Sequence, residues 1–307
     1  MTAPQPRVVP VDPGTGGPVP MSALLAEAER PRAVVVALHG GGTTAAYFDC
    51  PGHPRLSLLR LGPAAGFTVL ALDRPGYGAS APYPEAMQTP QQRVELAYGA
   101  IAAVLGERPR GAGIFVLAHS NGCELAVRLA ADPARGADLL GLALAGTGLR
   151  YRDAAAAALR DAAPDRRPTG LRELLWEPAR LYPPGVAASP GTGRAGARYE
   201  AAMVADWPRT DFPALAPRVR VPVLFSRAEH ERVWHSDEAA AARIAALFSS
   251  CPRFVTEQVA DAGHNLSLGW SAAAYHLRVL AFAEECVVAR VHAGELGGAT
   301  ELEVEAG

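Results

Sequence analysis

Short runs of apolar residues alternate with longer stretches of helical spacing along most of the chain. Residues 8–11, 20–26, 33–38, 67–72, 114–118, 139–145, 221–225 and 254–259 are apolar or β-branched runs of strand length, which predict about eight strands. Between them, 90–106, 121–131, 237–248 and 271–289 carry the Ala, Leu, Arg and Glu content of helices. Strands that are apolar throughout and separated by helices predict a mostly parallel sheet covered by helices.

The alternation stops near residue 147 and resumes near 218. That span holds an Ala-rich helical stretch at 153–163, Pro and Gly clusters at 183–196, and the aromatics Trp176, Tyr182, Tyr199, Trp207 and Phe212. Disordered linkers are poor in aromatics, so the span reads as a helical cap inserted over the sheet. Residues 1–290 then form one domain with its insertion, and the Gly- and Glu-rich end, 291–307, a flexible acidic extension.

Composition narrows the chemistry. The 307 residues contain no Lys, so all 29 basic residues are Arg, and neither a Lys Schiff base nor a P-loop Lys is available. A formal charge of -2 gives no basic field for nucleic acid or an anionic membrane, which favours a small-molecule partner. The first 20 residues lack the basic start and apolar run of a signal peptide, and no apolar stretch reaches spanning length, so a cytoplasmic location is expected. Cys50, Cys123, Cys251 and Cys286 are scattered without disulfide-framework or metal spacing.

Residues 114–123, Ile-Phe-Val-Leu-Ala-His-Ser-Asn-Gly-Cys, run an apolar strand straight into a Ser flanked by small residues. This resembles G-x-S-x-G, the nucleophile elbow of the α/β-hydrolase family, with Ala118 where the first Gly is usual. Other segments fall in that family's chain order. His39-Gly40-Gly41-Gly42 ends a strand in an HGGG loop of the type that supplies an oxyanion donor. Asp73 to Ser80 resembles the turn D-x-P-G-x-G-x-S, where Asp73 is read as structural. The resemblance covers nearly everything outside the insertion and the C-terminal end. It implies an α/β-hydrolase fold: an eight-stranded, mostly parallel sheet flanked by helices, with a helical cap.

In that family the acid and then the base follow the nucleophile. Ala228-Glu229-His230-Glu231 resembles the family's acid loop and puts Glu231 where Asp is usual, with Glu229, Asp237 and Asp153 as competing carboxylates. His264, alone among the eight histidines, sits in a loop that resembles the family's G-H loop. His230 and His235 are five apart, not the four that align ligands in H-E-x-x-H, so no metal is expected and no cofactor is implied.

The resemblance implies Ser120 as nucleophile, His264 as base and Glu231 as the acid that orients it. It also implies an oxyanion hole from the backbone N–H of Asn121 and of Gly41 or Gly42. Trp207 and Phe212 are candidates to line an acyl pocket, the alternative being the insertion's own core. Arg150, Arg152, Arg166, Arg167 and Arg209 suggest a grip on a carboxylate or phosphopantetheine, or plain solvated charge. The expected function is a serine hydrolase cleaving an ester or thioester of a small-molecule acyl substrate. One fold hosts many reactions, so carbon-carbon bond hydrolysis and non-hydrolytic tailoring stand as alternatives, and a non-catalytic ligand-binding protein as a reading of another class. The Lys-free, Ala- and Arg-rich usage is common in high-GC genomes and suggests secondary metabolism as the setting.

Overall fold

Apolar side chains on both sides of a strand require cover on both sides, and the computed structural model supplies it. It describes residues 3–14, 17–160, 170–189 and 191–305, with side chains as far as 293. The strands are β1 (Gln5–Val11), β2 (Val19–Ala26), β3 (Val34–Leu38), β4 (Thr68–Leu72), β5 (Ile114–His119), β6 (Gly141–Ala145), β7 (Val223–Ala228) and β8 (Phe254–Val259). They form one sheet in the order β1-β2-β4-β3-β5-β6-β7-β8. β2 pairs antiparallel with both β1 and β4, and every pair from β4 to β8 is parallel.

The period of two along each strand divides the core. Val34, Val36, Leu38, Val116, Ala118 and Leu144 face one apolar cluster; Val35, Ala37, Phe115, Leu117, Ala143 and Ala145 face the other. In chain order, α1 (Leu58–Ala64) follows β3, α2 (Pro90–Leu105) follows β4, and α3 (Gly122–Ala130) follows β5. Between β6 and β7 lie α4 (Asp153–Arg160), α5 (Leu171–Trp176), α6 (Glu200–Asp206) and α7 (Phe212–Leu215); α8 (Glu238–Leu247) and α9 (Ala272–Glu305) complete the chain. α2, α3 and α8 cover the first cluster, α1 and α9 the second.

The strand order opens the site. From β3 the chain moves to β4 on one side and then returns to place β5 on the other side of β3. The loops leaving β3 and β5 therefore diverge, and a crevice opens at the carboxyl ends of these strands. Gly40–Gly42 and Ser120 stand at its two rims.

Several expected boundaries move for physical reasons. α1 was hidden by Gly62 and Pro63; Gly62 is there because a Cβ would stand 2.2 Å from Val69 Cγ2. The last helix, expected to end at 289, continues to Glu305. The 153–163 stretch is helical over Asp153–Arg160, and 161–163 lie outside the described residues. Pro208 and Pro213 cannot donate to an α-helical ladder, and the chain widens into a π-turn at Trp207–Asp211 between α6 and α7. Among the described residues, the span between β6 and β7 contains no strand.

Candidate active site

Ser120 occupies the turn between β5 and α3 at φ +53, in the left-handed region that side chains seldom adopt. Its N–H donates to Ala145 O at 2.8 Å, and the Cys123 N–H donates to Ser120 O at 2.9 Å, which fixes the turn from both sides. Gly122 is obligatory there, because a Cβ would stand 2.4 Å from Leu38 O and 2.7 Å from His39 O. Ala118, in place of the usual Gly, is level with Leu38 of β3 and Leu144 of β6, and its methyl is fully buried in the core.

Ser120, His264 and Glu231 meet although 144 and 33 residues separate them along the chain. His264 Nε2 lies 3.2 Å from Ser120 Oγ, and His264 Nδ1 lies 2.9 and 3.0 Å from the two Glu231 oxygens. Glu231 also accepts the backbone N–H of Val233 at 2.7 Å and of Trp234 at 3.4 Å. Burial pushes the Glu231 carboxyl up, but His264 beside it and these N–H donors outweigh burial and hold its pKa below the ordinary value. An ionised carboxylate on Nδ1 keeps the imidazole proton there and leaves the Nε2 lone pair facing the Ser120 hydroxyl. The competing carboxylates are elsewhere: Glu229 accepts the Asp261 N–H, Asp237 caps α8 through the Ala240 N–H, and Asp153 begins α4.

His264 is also held from behind. His119 Nε2 donates to its carbonyl oxygen at 2.8 Å, while the His119 ring stacks on Tyr47 with centroids 4.7 Å apart. Burial, with the neighbouring His264 and Arg74, keeps His119 neutral. The Tyr182 hydroxyl accepts the Asn265 N–H at 3.2 Å, so the span between β6 and β7 reaches the His264 loop.

Across the crevice, the three glycines are not equivalent. The Gly42 N–H is already donated to the Tyr77 hydroxyl at 3.0 Å, which corrects the expectation that it is available to an oxyanion. The N–H groups of Gly41 and Asn121 find no acceptor among the described residues. Gly41 faces Asn121 closely enough that a Cβ on it would stand 2.7 Å from Asn121 Nδ2.

A family model described as "Alpha/beta hydrolase family" matches residues 35–276, a stretch that includes all of these groups. The chain belongs to the alpha/beta hydrolase family. Solved structures share the fold at low identity. A carboxylesterase from Bacillus subtilis is 19% identical, covering 91% of each chain with a TM-score of 0.56. The enol-lactonase from Burkholderia xenovorans is 18% identical over 85% of this chain and 96% of its own, with a TM-score of 0.58. A soluble variant of monoglyceride lipase from Saccharomyces cerevisiae is 12% identical over 93% of this chain and 96% of its own, with a TM-score of 0.64. No curated protein matches the sequence.

Not every candidate residue of the hydrolase comes to the crevice. Phe212, expected to line an acyl pocket, has no exposed surface and packs edge-on to Phe248 in the core. Trp207 stacks on Phe212 and donates its indole N–H to Thr147 Oγ1 at 2.9 Å, so its polar atom is used internally. Trp207 opens the widened turn at 207–211, Phe212 follows it, and both are buried in the core. Arg150, Arg152 and Arg209 are exposed, and Arg166 and Arg167 lie outside the described residues. One group, Glu229, His230 and Asp261, brings possible metal donors within 4.8 Å of one another, and the Glu229 to Asp261 backbone bond accounts for part of that closeness. No helix among the described residues is long and apolar enough to cross a membrane. Arg74, Tyr77 and Glu200 were missed as site residues. The first two fall in a turn read as architectural, and nothing in the sequence sets Glu200 apart from other helix-surface acids.

Proposed function

We propose that this hydrolase cleaves a carboxylic ester or thioester of a small-molecule acyl substrate through an acyl-enzyme on Ser120. The observation that carries this is the continuous chain from Ser120 Oγ through His264 to the buried Glu231 carboxylate.

Ser120 Oγ attacks the acyl carbonyl carbon as its proton passes to His264 Nε2, and Glu231 stabilises the imidazolium. The carbonyl oxygen becomes an oxyanion that accepts the N–H groups of Gly41 and Asn121. Collapse breaks the bond to the alcohol or thiol, which leaves with the proton from His264. Water then attacks the acyl-enzyme with His264 as base, and the acid leaves with Ser120 restored. The span 147–218 serves as the cap, since Tyr182 and Glu200 reach the loops on opposite sides of Ser120. The esterase, lactonase and lipase among the similar structures are in keeping with acyl chemistry, and the composition with a setting in secondary metabolism.

A fluorophosphonate probe tests the assignment. The expected result is one stoichiometric adduct on Ser120, absent in Ser120→Ala; labelling that persists in that variant overturns it.

A further inference from the structure

Arg74 is fully buried, and everything it touches belongs to the crevice or to its cover. Its Nε donates to His39 O at 2.6 Å, and its Nη2 donates both to Gly40 O at 3.1 Å and to Glu200 Oε1 at 2.6 Å. Glu200, at the start of α6, accepts the Tyr77 hydroxyl on its other oxygen at 2.7 Å. That same Tyr77 hydroxyl accepts the Gly42 N–H. The Arg194 N–H donates to Gly42 O at 2.9 Å, adding a second tie between the loop and the same span.

The consequence lies in one peptide group. The Gly40 carbonyl and the Gly41 N–H belong to the same planar trans unit, so they point in opposite directions and turn together. Gly40 O is held by Arg74 Nη2 at 3.1 Å together with Thr43 Oγ1 at 3.0 Å and His39 Nδ1 at 2.8 Å, of which Arg74 is the cationic donor, and fixing that oxygen fixes the direction of the Gly41 N–H. A cationic donor on the carbonyl also polarises the unit and strengthens its N–H as a donor. Arg74 is held to this task by Glu200, and Tyr77 blocks rotation at the next residue.

We propose that Arg74, Glu200 and Tyr77 are positioning residues: a buried clasp through which α6 aims and strengthens the Gly41 N–H for the developing oxyanion. This rests on the reading of Ser120 as the nucleophile. None of the three touches the reacting atoms. A carboxylate beside Gly41 would by itself oppose an oxyanion; the Arg74 guanidinium offsets that charge and leaves orientation as the net contribution.

The test uses Tyr77→Phe, which keeps ring and charge, and Glu200→Gln, which removes the negative charge paired with Arg74, on a short p-nitrophenyl ester. Loss of alignment at an oxyanion donor predicts a fall in kcat of about 10- to 100-fold. KM is expected to stay within about twofold, and affinity for a trifluoromethyl ketone, which forms a tetrahedral adduct, to fall by the same factor as kcat. A merely structural role would lower thermal stability without that parallel. Wild-type kcat and ketone affinity in Tyr77→Phe, or a rise in kcat in Glu200→Gln, overturns the clasp. If Glu200→Gln does not fold, Tyr77→Phe decides alone. Fluorophosphonate labelling that survives Ser120→Ala removes the underlying nucleophile instead, so the two failures are told apart.

Discussion

Gly122 and Leu38 are in direct backbone contact: a Cβ on Gly122 would stand 2.4 Å from the Leu38 carbonyl oxygen. Backbone cannot swing aside as a side chain can. Gly122→Ala is therefore expected to push α3 away from β3, cost about 1–3 kcal/mol as an overpacked site does, and carry Ser120 out of line. A displacement of this size predicts a loss of about 100-fold in kcat/KM. Ala118→Gly makes the opposite change, and is expected to keep activity within about threefold while costing about 1 kcal/mol through chain entropy. Urea melts and ester kinetics on the two variants check the contrast.

The carboxylates of the acid loop differ in what they touch. Glu231→Gln loses the charge on His264 Nδ1 and is expected to lower kcat by about 10⁴, as loss of the correct tautomer does in such a triad. Glu229→Gln, at an exposed position, leaves kcat within about twofold. Equal effects from the two would remove Glu231 from its role.

Trp207 and Phe212 are buried in the core cluster. Truncation of either to Ala is expected to cost about 3–5 kcal/mol, with kcat/KM falling by one common factor across an ester series. Unequal changes with acyl-chain length would return Trp207 to the pocket wall.

Acid sensitivity is expected to begin near neutrality. His39, His119 and His276 are fully buried, and burial lowers the pKa of each below the ordinary value of 6.5, that of His276 to about 3. Below pH 6.5 the unfolded chain takes up protons that the fold refuses, so stability is complete above that pH and declines as pH falls. Each histidine contributes up to about 1.4 kcal/mol per pH unit. Glu231, with its pKa depressed in the fold, adds to the decline once the pH falls below the ordinary 4.5. Urea midpoints between pH 8 and 5 measure the slope, which His276→Asn reduces by about a third if the three act alike. A flat midpoint over that range refutes it.

What could be read in the sequence was local. The strand into Ser120, the small residue at Gly122 and the loop before His264 are each written in fewer than a dozen consecutive residues, and the structure places them as their types suggest. Gly41 and Gly42 are identical as letters, and only the partner across the loop, the Tyr77 hydroxyl, separates them. Glu200 meets Arg74 across 126 positions, and a pairing at that separation leaves no pattern in one sequence. Trp207 and Phe212 have the aromatic character of either a pocket or a core. They lie at the start of and just after the widened turn at 207–211, and aromatic character alone does not tell a pocket wall from a core.

The residues that meet around Ser120 leave the sheet at separate strand ends, and five of the eight strands lie between Gly41 and His264 in the chain. A chain emerging from the ribosome presents the Ser120 hydroxyl well before it presents the imidazole. Until β8 adds itself to the edge of the sheet and delivers His264, that hydroxyl is an ordinary alcohol. On the proposed reading, synthesis holds the chemistry back until the fold is nearly complete, and a product truncated before residue 264 is expected to lack it.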